Sequence, residues 1–81
     1  MMEVWIVRIE NRYGVPGHAA FATEERAHQD LQEYADENKD DWPEDEEPWD
    51  GTWESFFGFW QEYPDHKDYH FYELICCQVK A

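Results

Sequence analysis

Eleven carboxylates fall within the 21 residues from Asp30 to Asp50: Asp30, Glu33, Asp36, Glu37, Asp40, Asp41, Glu44, Asp45, Glu46, Glu47 and Asp50. Within that stretch, Lys39 alone opposes them. Carboxylates at this density could bind a cation, move a proton in catalysis, or present negative charge to a basic partner. Calcium chemistry asks for a fixed ligand spacing with a Gly in the middle of the loop. This run has neither. General acid–base work needs a pair of carboxyls in a shaped pocket, and 81 residues leave little volume for one. The third use remains, and it asks only for a charged surface held in place.

The other reactive side chains are sparse. Four histidines (His18, His28, His66, His70) and two cysteines (Cys76, Cys77) are present. No C-x2-C pairs with an H-x3-H in the spacing of a zinc site. His66 and His70 are four apart, but the start of a strand would separate them too far for joint ligation. No metal or cofactor is therefore expected. Ser55 is the only serine and has no apparent triad. Adjacent cysteines make a poor structural staple. They also alternate faces of the last strand, one expected in the core and one outward, with no basic neighbour to activate either. No enzymatic activity is expected.

Composition bounds the rest. The length implies one domain, spanning 1–81. The net charge is −14, with only six Lys and Arg. That balance argues against direct binding to nucleic acid or to an anionic membrane, both of which call for basic side chains. A chain this acidic with few aromatics would be disordered. Five Trp, five Tyr and five Phe reverse that reading, because each can bury roughly 150–250 Å². No apolar run approaches the ~20 residues of a membrane span, and the N-terminus lacks the pattern of a signal peptide. A reducing cytoplasm is the expected compartment.

The elements that must position the carboxylates can be read from periodicity. Met2 to Glu10 alternates as a strand, with Trp5, Val7 and Ile9 on one face and Val4, Ile6 and Arg8 on the other. Its continuous apolar reading suggests a central strand covered on both sides. Asn11 to Gly17 reads as a turn, and Gly17 to Ala22 as a short second strand. Thr23 is a fitting N-cap for a helix reaching about Lys39, with Glu24 and Glu25 in its first turn. Ala27, Leu31, Tyr34 and Ala35 give that helix its apolar stripe. Pro43 stops it. Asp41 to Gly51 is an acidic loop with two prolines. A second helix follows from about Thr52 to Glu62, capped by Asp50 or Thr52. Trp53, Phe56, Phe57 and Trp60 form an aromatic stripe along it, expected to be core. Tyr69 to Lys80 is the last strand. The order β-β-α-α-β implies an α+β fold: a three-stranded antiparallel sheet packed by one long acidic helix and one short aromatic helix.

At ~100° per residue, Asp30, Glu33, Glu37, Asp40 and Asp41 share one side of the long helix, and Asp36 widens it. Neighbouring carboxylates on a helix have Cβ atoms roughly 5–6 Å apart, near the spacing of phosphates along nucleic acid. Glu44, Asp45, Glu46 and Glu47 prolong the row, while Trp42 and Trp49 stand among them as apolar anchors for a partner or for the loop itself. Residues 24 to 50 hold thirteen acids against Arg26 and Lys39. Such charge repels itself. It serves either a basic partner or the solubility of a small aromatic-rich domain.

Small size, the run DENKDDWPEDEEPWD and the lack of a catalytic motif resemble the DNA-mimic inhibitors of phages and mobile elements, the anti-CRISPR and anti-restriction proteins. The resemblance implies a non-enzymatic inhibitor whose acidic surface blocks the duplex-binding surface of a basic protein, such as a CRISPR effector complex. The candidate contact residues are Glu33, Asp36, Glu37, Asp40, Asp41, Trp42, Glu44, Asp45, Glu46, Glu47 and Trp49. The alternative is a small interaction module or adaptor that binds through its aromatic patch. A homodimer is also compatible, through an exposed sheet edge or an aromatic interface.

Overall fold

A computed structural model describes residues 2–79. Strands β1 (Met2–Asn11), β2 (Gly14–Phe21) and β3 (His70–Val79) form an antiparallel sheet in the order β2-β1-β3. Helices α1 (Glu24–Glu37) and α2 (Trp53–Glu62) lie between β2 and β3 in the chain, with a 3-10 turn at Lys39–Asp41 after α1. The fold is the expected α+β arrangement, and β1 is the central strand. No described helix is long and apolar enough to cross a membrane.

One face of the sheet carries the core. Val7 and Ile9 of β1, Ala27, Leu31 and Ala35 of α1, and Phe56, Phe57 and Trp60 of α2 are all buried. Alanines at 27 and 35 have little bulk, which lets α1 approach the sheet closely. The aromatic stripe of α2 fills the remaining space, with Phe56 and Phe57 meeting edge to face at 5.4 Å. Trp53 completes that stripe at the margin, half-buried against Tyr72. The indole N–H of Trp60 is buried without a partner, a cost its packing must offset.

Four sequence expectations change. The hairpin turn is tighter than Asn11 to Gly17, because β2 already starts at Gly14. Asn11 Oδ1 accepts from the Tyr13 amide at 2.8 Å, and Gly14 takes a φ of +124°, open to glycine without strain. The register slips between Ile9 and Asn11, and Pro16 is tolerated because β2 is an edge strand. The long helix ends at Glu37, short of Lys39. Asn38 closes it, its side-chain amide donating to the Tyr34 carbonyl at 2.8 Å. Asp40 and Asp41 therefore belong to the 3-10 turn. The second face of β1 is uncovered, since both helices lie on the Val7 side; Val4 and Ile6 are only half-buried. Finally, neither cysteine is core. Cys76 is exposed and Cys77 half-buried; Cys77 pairs with Val4 on the sheet face away from the helices.

Candidate functional site

Thr23 starts α1 by accepting from the Arg26 amide at 3.2 Å. From there the apolar stripe turns inward, leaving Glu33, Asp36 and Glu37 exposed. Asp30, Glu33 and Glu37 also line a cleft between α1 and β2, beside Ile9, Pro16, Gly17 and Tyr34. Partial burial raises the pKa of Asp30, and the charges of Glu33 and Glu37 raise it further. Mutual repulsion there is the local cost of gathering like charge.

The acidic row continues past α1 on a backbone tied down at several points. Asp40 is exposed, while Asp41 is half-buried, its Oδ2 held 2.8 Å from His70 Nε2. His70 is the one buried polar residue among the described ones, 3% exposed. Its other nitrogen, Nδ1, lies 2.7 Å from the Tyr34 hydroxyl, which accepts from Asn11 Nδ2 at 3.0 Å. A carboxylate only accepts, so Nε2 carries the ring proton and Nδ1 accepts from Tyr34. The chain Asn11–Tyr34–His70–Asp41 is thus fully satisfied with a neutral imidazole. It ties β1, α1, β3 and the 3-10 turn together. Burial lowers the His70 pKa, and the bond to Asp41 opposes that shift.

The loop after Asp41 folds on its own backbone. Trp42 donates its indole N–H to the Glu47 carbonyl at 2.8 Å, and the Glu46 amide bonds to the Pro43 carbonyl. The Trp42 ring packs on Phe59 and Phe56. Trp49 donates to the Thr52 carbonyl at 2.8 Å and meets Phe56 edge to face. Both Trp side chains are half-buried, so they anchor the loop to the core. Between them Glu44, Asp45, Glu46 and Glu47 are exposed.

Two further fastenings hold the far end. Asp50 Oδ1 accepts from the Thr52 amide, the Thr52 hydroxyl and the Ser55 hydroxyl. These bonds, led by that from Ser55, lower its pKa. Thr52 in turn caps α2 by accepting from the Ser55 amide. Gln32 of α1 donates to the Gly51 carbonyl at 2.8 Å and accepts from the Trp53 amide at 3.0 Å.

No protein-family model, curated protein or solved structure matches this chain. Among the described residues, no group of three or more His, Cys, Asp or Glu side chains is placed to hold a metal ion. The carboxylates form one discontinuous acidic surface: a helical part at Glu33, Asp36, Glu37 and Asp40, and a loop part at Glu44 to Glu47. Asp41 is diverted from that surface to His70. The sequence reading missed His70, Tyr34, Asn11 and Gln32 as the residues that hold the surface. A buried polar side chain gives little periodic signal. The clue available was a lone His at the head of a strand rich in apolar residues.

Proposed function

We propose that this protein is a non-enzymatic inhibitor whose acidic surface occupies the nucleic-acid-binding surface of a basic protein. The observation that carries this reading is the fastening of the acidic loop. Thr52, Gln32, Trp42 and Trp49 hold residues 42 to 52 through bonds that need no partner. A loop serving only solubility has no need of a set shape. Fixed carboxylates bind with less ordering entropy to lose, which favours tight competition with a polyanion. The charge also steers the encounter with a basic groove.

The target would be a basic nucleic-acid-binding assembly, of which a CRISPR effector complex in a host cytoplasm is the type suggested by the resemblance to phage-encoded inhibitors. Nucleic acid would be excluded by occupancy of its site, with no bond made or broken.

The test is capture from a nuclease-treated bacterial lysate on the tagged protein, followed by elution with duplex DNA. The reading expects nucleic-acid-binding proteins to elute with the DNA. It also expects a variant with Glu33, Asp36, Glu37 and Asp40 changed to Lys to capture none of them. Retention that neither DNA nor charge reversal disturbs would remove the proposal.

A further inference from the structure

The uncovered face of the sheet has a composition unlike the rest of this surface. Val4 and Ile6 of β1 stand beside Cys77 and Ile75 of β3 across the register, and Ala20 of β2 flanks Ile6 on the other side. Ile75 is 47% exposed and Met2 63% exposed. Toward the hairpin end, Arg8 lies 3.9 Å from both Glu10 and Glu73. Of the twenty Asp and Glu in the chain, Glu10 and Glu73 are the strand residues on this face. The acids of α1 belong to the opposite layer.

We propose that this open sheet face is where a second copy of the chain docks, sheet against sheet. Two observations select a second copy. The first is charge. At −14 the chain repels its own kind, and this is the face that can meet a copy while keeping both α1 helices outward. Packed sheets are ~10 Å apart, and each helix layer adds its own thickness beyond that. The two acidic surfaces then stand well beyond the ~8 Å screening length.

The second observation is relief. One side of the face is high, with exposed Ile75 on β3, and the other is low, with Ala20 on β2. Ile6, His18, Ala19 and Ala20 line an open apolar hollow there. A two-fold axis running along β1 between the sheets lays each β3 over the other copy's β2. The row Ala20–Ile6–Ile75 then meets its own reverse, and Ile75 fills the hollow beside Ala20. Arg8, Glu10 and Glu73 form a wetter rim. Ten residues at ~3.3 Å and three strands at ~4.8 Å give a flat footprint near 450 Å² per copy. The total of about 900 Å² falls below the ~1,200 Å² of stable specific interfaces, so the dimer is weak, reversible and dependent on concentration.

Sedimentation velocity from low micromolar to near-millimolar concentration reads this directly. The mass should rise from 9.9 kDa toward twice that value. Ile75→Asp should hold the chain monomeric throughout, with unchanged circular dichroism. Alkylation supplies a readout that needs no variant. Cys77 on the open face should become slower to label as concentration rises, while Cys76 on the other face should not. A wild-type chain monomeric at every concentration would overturn the proposal. So would a dimer that survives Ile75→Asp with Cys77 labelled at one rate, since that places the contact on the β3 edge.

Discussion

His70 is neutral in the folded chain at pH 7, because burial disfavours its charged form by more than the bond to Asp41 favours it. Its folded pKa lies below the ordinary 6.5. As pH falls through that ordinary value, the unfolded chain takes a proton that the folded chain refuses. Stability contributed by this group is therefore complete above about 6.5 and declines as pH falls toward the lowered folded value. An NMR titration should place the His70 midpoint below 6.5, and a midpoint above it would show that the bond to Asp41 outweighs burial. His70→Ala leaves a cavity against Phe56 and Trp60 and strips Tyr34 of its acceptor. A loss of about 2–4 kcal/mol in denaturant unfolding is expected. At Asp30 the sign is opposite. Its raised pKa means that ionisation opposes folding, so Asp30→Asn should stabilise the protein at pH 7. The gain should be about 0.5 kcal/mol, the scale of like-charge pairs on a helix, and should fade as pH drops below 4. A destabilised Asp30→Asn would show that the carboxylate is paired and not repelled.

Among the elements, α1 holds the far end of the acidic loop through Gln32. Gln32 reaches from α1 to both Gly51 and Trp53. Gln32→Ala should cost about 1–2 kcal/mol and speed amide hydrogen exchange at Trp53 and Glu46. Unchanged protection there would mean that the Trp anchors suffice. Elements with a strong period were legible from sequence. The α1 stripe at Ala27, Leu31 and Ala35 and the α2 stripe follow from which side chains must leave water. Boundaries set by polar side chains were not legible. Asn38 ends α1 through a local bond that hydrophobic spacing does not encode. Val4 and Ile6 read as covered because apolar runs show that a strand is buried somewhere, without showing on how many sides. The carboxylates of the candidate surface were plain in the sequence. Their supports were not, since Gln32 and His70 act across 19 and 29 residues of chain.

At the scale of the whole molecule, the chain is polarised. Acids crowd the α1 layer and its loop, while the far face of the sheet is apolar and nearly balanced in charge. That division lets a strongly acidic protein fold on a small aromatic core, because repulsion stays on one side. Charge reversal of Glu44, Asp45, Glu46 and Glu47 to Lys should leave the fold intact, because these side chains are exposed and the loop is held by backbone acceptors. Unfolding of that variant would show that the acids act in folding. The central claim is that this surface competes with nucleic acid, and its most direct measurement is the affinity for a captured partner as a function of salt. The account predicts a loss of about tenfold or more between low and physiological ionic strength, with duplex DNA displacing the protein from its partner. Affinity independent of salt, in a complex that also retains its DNA, would contradict it.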